Sequence, residues 1–174
     1  MNGFYLAIGK QGSGKTVFIT KLLVNDLEKK DRPVFSNYTL KGIDYEHITL
    51  EYVLNKLDEE HTYFNNSILL FDEIHLYLDS LDFMRKNNRR LQTFFSQLRK
   101  RNILLLATTQ YIMNVDIRIR RQCMNVFEMQ HVFEDLFIVT THEIDGYFTR
   151  EISEVKMMLD DYYKYYDTNE LVIE

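Results

Sequence analysis

Two short stretches of this sequence carry the residue types and spacing of phosphate chemistry. Gly9-Lys10-Gln11-Gly12-Ser13-Gly14-Lys15-Thr16 fills every fixed position of G-x-x-x-x-G-K-[ST]. Glycines at these places let backbone N–H groups turn inward and approach phosphate oxygens without Cβ clashes. A helix opening directly behind them would aim its unsatisfied N–H groups and positive dipole end at the same anion. In that setting Lys15 reaches the β- and γ-phosphates of a nucleoside triphosphate, and the Thr16 hydroxyl ligates Mg²⁺. Gly9 to Thr16 are therefore the candidate nucleotide-binding residues, and ATP with Mg²⁺ the expected cofactors.

The second stretch, Ile68-Leu69-Leu70-Phe71-Asp72-Glu73, is an apolar strand ending in two acids. An acid at the tip of a buried strand costs desolvation unless it meets a cation. A Mg²⁺ ion shared between Asp72 and phosphate oxygens supplies one. Glu73, one position on, is placed to orient or deprotonate an attacking water. A third apolar run, Ile103 to Thr108, ends in Thr109-Gln110. If its strand lies between the other two, Gln110 faces the γ-phosphate as a sensor; otherwise Thr-Thr-Gln opens a surface loop. Arg99 and Arg101 precede this strand. An arginine there either projects across a subunit interface onto a neighbour's nucleotide or ends a helix in solvent.

The elements that must hold these groups follow from periodicity. Gly3–Ile8 is a short apolar run ending at glycine, hence a buried strand, and Thr16–Lys29 has helical apolar spacing at Val17, Phe18, Leu22, Leu23 and Leu27. Val34–Leu40 alternates as a strand. Thr49 caps a helix running to about Glu60 through Leu50, Val53, Leu54 and Leu57. Asp82–Lys100 reads as a helix with Leu91, Phe94, Phe95 and Leu98 inward. Asn125–Gln130 and Leu136–Thr141 alternate as a C-terminal hairpin, followed by a short helix at Val155–Tyr165 and a tail through Leu171-Val172-Ile173. Strands alternating with helices give an α/β fold, a mostly parallel sheet covered on both faces. No linker or repeat divides it, so residues 1–174 read as one domain.

Composition adds a charge asymmetry. The chain has 21 Lys and Arg against 26 Asp and Glu, a net −5 that argues against a polyanionic partner when taken whole. Between Phe83 and Phe127 stand ten basic residues (Arg85, Lys86, Arg89, Arg90, Arg99, Lys100, Arg101, Arg118, Arg120, Arg121) and one acid, Asp116. That stretch carries +9 and the remainder −14, which suits an anionic partner at one place. Cys123 stands alone, so an internal disulfide is excluded and a reducing compartment fits. No apolar run reaches the ~20 residues of a membrane span. Met1 to Ala7 lead into the glycine loop without a signal-peptide profile. The five histidines show no metal-ligand spacing.

Together, GKQGSGKT at 9–16, LLFDE at 69–73 and TTQ at 108–110, with an arginine-rich helix between the last two, resemble the additional-strand P-loop ATPases. Within them the chain is similar to the HerA/FtsK-type DNA-pumping branch. In size it looks most like small viral genome-packaging ATPases and the ATPase domain of zonula-occludens-toxin-like phage assembly proteins. Tyr165-Tyr166-Asp167-Thr168 resembles the latter group as well. The resemblance covers about residues 3–121. It implies a RecA-like three-layer sandwich with core strand order 5-1-4-3-2 and a ring, hexameric or pentameric. It further implies double-stranded DNA as the pumped substrate, contacted through Arg85, Lys86, Arg89 and Arg90, in host cytoplasm or virion. With no barrel, membrane or DNA-reading domain, coupling to a portal, capsid or membrane protein falls to this domain or to partners.

The expectation is thus an ATP-hydrolysing DNA translocase, first of the genome-packaging kind and alternatively a phage assembly or export ATPase. Lys10 stands where partition-type ATPases carry an extra lysine, but Glu73 argues against that class. Asp72-Glu73-Ile74-His75 spells the D-E-x-H of two-lobed helicases, for which the chain is too short. A small P-loop kinase fits the length, with Arg118, Arg120 and Arg121 as lid residues, yet Glu73 and Gln110 suit water better than a second substrate. A non-catalytic nucleotide switch is disfavoured by intact Lys15, Thr16, Asp72 and Glu73.

Overall fold

Strand β1, Gly3–Ile8, runs through the middle of the sheet, with Phe4 and Leu6 buried on one face and Ala7 on the other. The protein is described from a computed structural model covering residues 1–78, 81–145 and 148–167, without the side chains at 78, 81–86, 88, 145 and 148. Helix α1, Lys15–Leu27, follows the glycine loop. The succeeding elements are β2 (Val34–Ser36), β3 (Glu46–His47), α2 (Leu50–Glu59), β4 (Ile68–Phe71), α3 (His75–Leu78), α4 (Leu81–Gln97) and β5 (Leu104–Thr109). Then come α5 (Ile117–Arg120), β6 (Cys123–Phe133), β7 (Leu136–Asp145) and β8 (Phe148–Met158).

Among the described residues, eight strands form one sheet in the order β3-β2-β4-β5-β1-β6-β7-β8. Pairing is parallel from β3 through β6 and antiparallel from β6 to β8. The full order differs from a five-strand 5-1-4-3-2 sheet. The two-residue β3 caps one edge, β7 and β8 extend the other, and β6-β1-β5-β4-β2 lie consecutively between. β5 alternates Leu105 and Ala107 toward one core with Leu104 and Leu106 toward the other. Both faces are therefore apolar, as a doubly covered parallel strand requires. One core packs α2, α4 and α5 on the sheet through Leu50, Val53, Leu91, Phe94 and Ile119. The other packs α1 and the C-terminal turn through Phe18, Leu23, Phe137 and Tyr166. The result is a three-layer α/β sandwich.

Some expected elements differ. The Val34–Leu40 strand stops at Ser36, because the Ser36 hydroxyl accepts from the Tyr38 N–H and donates to its carbonyl, displacing ladder bonds. The Val155–Tyr165 helix is mostly absent. Val155 and Met157 continue β8, opposite Val139 and Phe137 of β7, and only Asp160–Tyr165 winds into a 3₁₀ helix. Ladder bonds to β7 outweigh the local pattern, so the expected hairpin is a three-stranded meander. Leu171-Val172-Ile173 and Thr168 lie outside the described residues. Thr49 caps α2 as expected, accepting from the Tyr52 N–H.

Candidate active site

β1, β4 and β5 run parallel in matched register, so their C-terminal ends fall on one edge, with Ile8 opposite Thr109 and Phe71 opposite Ala107. Gly9, Asp72, Glu73 and Gln110 emerge together there, the crevice where open α/β sheets take ligands. The Gly9 N–H donates to the Gln110 carbonyl at 3.3 Å, tying the glycine loop to the end of β5.

The loop is held from behind. A Cβ on Gly14, whose φ is +84°, would sit 2.6 Å from the Phe137 ring of β7. A Cβ on Gly9, at φ +145°, would sit 2.5 Å from the Met129 carbonyl of β6. These glycines are thus required by the meander as well as by backbone conformation. Lys15 is buried; its ammonium donates to the Lys10 carbonyl at 3.2 Å and lies 3.7 Å from Glu73 Oε1.

Asp72 is the hub. Its Oδ1 accepts from the Thr16 hydroxyl at 3.0 Å and the Thr108 hydroxyl at 2.6 Å. The Asn37 side chain clamps its backbone, accepting from the Asp72 N–H at 2.7 Å and donating to its carbonyl at 2.9 Å. Burial pushes the Asp72 carboxyl above its ordinary value, against the downward pull of those hydroxyls and Lys15. Glu73 has a left-handed backbone, φ +48°, fixed by its N–H donating to Thr108 Oγ1 at 2.8 Å. Its Oε2 lies 3.2 Å from His75 Nδ1, which also faces Thr109 Oγ1 at 3.2 Å.

Two buried oxygens here have no hydrogen-bond partner, Ser13 Oγ and Glu73 Oε2. Buried polar atoms are ordinarily satisfied, so both mark places where a ligand or water completes the site. They fit a Mg²⁺-bound triphosphate: a loop of N–H donors, a buried lysine, a hydroxyl–carboxylate pair and an open carboxylate oxygen. Among the described residues no group of three or more His, Cys, Asp or Glu could hold a metal. Thr16 and Asp72 would therefore hold a cation with help from phosphate oxygens. On the other side of the loop a cleft of about 650 Å³ opens, lined by Gly9–Ser13, Gln110, Tyr111, Met113 and Gln130.

Of the other expected site residues, Gln110 lies at the site and the arginines lie away from it. Gln110 borders the cleft and the loop, between β4's acids and β6. Arg99 and Arg101 lie at the opposite edge of the sheet, where the Gly3 N–H donates to the Ile103 carbonyl. The length of β5 alone puts them about 20 Å from Gln110. Neither reaches the site within this chain. Arg90 is engaged, donating to Asn87 Oδ1, Leu54 O and Asp58 Oδ2 and so pinning α4 to α2. Arg89 is exposed, while the side chains of Arg85 and Lys86 lie outside the described residues. The would-be lid arginines are partly spent: Arg118 grips Asp116 through two hydrogen bonds, and Arg120 is buried with Nη1 at Met113 Sδ. Thr108, Asn37 and Phe137 join the site beyond the residues expected from the motifs. Thr108 alone left a signal, in the polar end of an apolar strand.

Among the described residues no helix is long and apolar enough to cross a membrane. The solved N-terminal domain of zonular occludens toxin from Neisseria meningitidis is similar at 16% identity and TM-score 0.65, covering 96% of this chain and 100% of that one. The genome packaging NTPase B204 from Sulfolobus turreted icosahedral virus 2, solved in complex with ATP-gammaS, is similar at 10% identity and TM-score 0.56. That match covers 87% of this chain and 97% of that one. No curated protein matches the sequence. The family description zonular occludens toxin (Zot) matches residues 3–169, nearly the whole chain. The chain therefore belongs to the Zot family.

Proposed function

We propose that this chain binds Mg²⁺-ATP at the glycine loop and hydrolyses its γ-phosphate bond to drive DNA movement in phage assembly or export. One observation carries the reading: Thr16, Asp72 and Thr108 share hydrogen bonds at the sheet edge beside a buried Lys15 paired with a half-buried Glu73. A structural strand end has no need of so many buried polar groups around one carboxylate. Family membership favours assembly and export over the genome packaging expected first from the motifs. The B204 likeness supports the fold shared by both.

Lys15 and the loop N–H groups would hold phosphate charge, Thr16 and Asp72 the metal, and Glu73 the attacking water. The metal, when bound, neutralises charge on the β- and γ-phosphates. The 650 Å³ cleft, lined by the glycine loop together with residues of the β5 end and β6, would receive the nucleoside. Gln110, bonded to Gly9 through its carbonyl, would register γ-phosphate loss at the loop. Arg99 or Arg101, remote from this chain's own site, would act only on a neighbour's nucleotide in a ring.

The test is phosphate release from ATP by wild type and Glu73→Gln, with and without double-stranded DNA. The reading expects a fall of about 10²–10⁴-fold for Glu73→Gln with nucleotide binding retained. Equal rates for the two proteins would remove the hydrolase. Phosphate appearing on a small acceptor in place of water would favour the kinase.

A further inference from the structure

His75 takes no part in the mechanism above, yet its ring stands against the one residue there with strained backbone. Glu73 sits at φ +48°, a conformation that L-residues with long side chains seldom keep without enforcement. The enforcement comes from β5: Thr108 Oγ1 accepts from the Glu73 N–H, and the Thr108 carbonyl accepts from the Ile74 N–H at 2.9 Å. This fixes where the side chain starts, not where the carboxylate ends.

The carboxylate lies between two cationic or polar groups. Oε1 is 3.7 Å from Lys15 Nζ, and Oε2 is 3.2 Å from His75 Nδ1. The same Nδ1 lies 3.2 Å from Thr109 Oγ1, and Thr109 Oγ1 also reaches the Tyr111 carbonyl at 3.4 Å. A single ring nitrogen serves one role at a time. When Thr109 donates to Nδ1, the nitrogen is an acceptor and Oε2 stays unpartnered, as it is here. When Thr109 donates to Tyr111 instead, an Nδ1–H can turn to Oε2. The neighbour of Thr109 is Gln110, whose carbonyl holds the Gly9 N–H of the phosphate loop.

From this geometry we infer that His75 is a positioning residue that couples the end of β5 to Glu73, switching Nδ1 between Thr109 and the Glu73 carboxylate. Resting on Glu73 as the water-orienting group, the inference adds how that group is aimed. The loop's nucleotide state reaches Glu73 through Gln110, Thr109 and His75, in addition to any direct contact.

The test has a nucleotide-free arm and a kinetic arm. In the nucleotide-free protein, the ¹⁵N shift of His75 Nδ1 is expected to move on Thr109→Val and again on Glu73→Gln. Shifts unchanged by both substitutions would overturn the inference whether or not the protein hydrolyses ATP. In the kinetic arm, His75→Phe keeps ring volume without nitrogen. It should lower kcat about tenfold, the lower end of what partners of a reacting group are worth, with KM for ATP within twofold. His75→Gln, which keeps a polar group at that distance, should recover part of the loss. A His75→Phe protein whose KM rises while kcat holds, or whose loss His75→Gln does not relieve, also overturns it. Wild type that binds ATP without hydrolysing it, yet shows the shift changes, would count against the hydrolase alone.

Discussion

The nucleotide edge of the sheet and the arginine-rich stretch between Phe83 and Phe127 both stand out in sequence, yet they fold very differently. At the edge, Thr16 of α1 and Thr108 of β5, 92 positions apart in sequence, meet at Asp72 just past β4. In the basic stretch, neighbours in sequence part company: Arg90 braces α2, Arg118 grips its own N-cap, Arg120 is buried, and Arg89 faces solvent. The glycine loop is marked by glycine conformations that the chain encodes locally, and is backed by β6 and β7 from far along the sequence. A run of like charges specifies no direction, so the described arginines take different roles: Arg90 is tied to Asp58, Arg118 to Asp116, and Arg89 is exposed.

That contrast can be pressed hardest at Lys15. Lys15→Ala removes a buried ammonium aimed at the loop, and ATP hydrolysis should fall by about 10²-fold or more while folding survives. Isothermal titration with ATP checks binding and circular dichroism checks the fold. Gly14→Ala tests whether the meander also fixes the loop. Its Cβ meets the Phe137 ring at 2.6 Å with φ at +84°, so stability should drop by roughly 1–3 kcal/mol in urea unfolding. Adding Phe137→Leu should return part of that, which a purely local backbone penalty would not allow.

The basic stretch is split by the next pair. Arg90→Ala should cost about 1 kcal/mol of stability through lost ties to Asp58 and Leu54. Arg89→Ala should leave stability alone and lower the salt slope of DNA binding by about one. Opposite assignments would mean that the region's charges are organised as a surface after all. The smallest effect belongs to Asp116, whose carboxyl is held below its ordinary value chiefly by the Arg118 hydrogen bond. A lowered folded value contributes stability above the unfolded pKa and loses it as pH falls through the folded one. Asp116→Asn should therefore cost about 0.5 kcal/mol at pH 7, with the deficit shrinking below about pH 4.

Much of the site was legible because its parts are ends of apolar runs. Ile68–Phe71 and Ile103–Ala107 are unbroken hydrophobes, so the first polar residue after each marks the sheet edge. The placement of β5 between β1 and β4 then brings Thr108 to Asp72 without further information. Asn37 was hidden because β2 ends early through a Ser36 bond to its own neighbour, which no periodicity records. Phe137 was hidden because its contact with Gly14 spans more than a hundred residues and depends on the register of β6 and β7. The helix expected at Val155 failed for the same reason, since strand pairing with a distant partner decided it.

The grip of Met129 and Phe137 on Gly9 and Gly14 has a consequence for how the molecule matures during synthesis. A phosphate loop near the amino end is made first, but its backing arrives only when β6 and β7 have left the ribosome. Local strand–helix structure can form early, whereas long-range sheet closure waits for its partners. A chain halted before Met129 would therefore carry the loop's sequence without the β6 and β7 contacts that back Gly9 and Gly14.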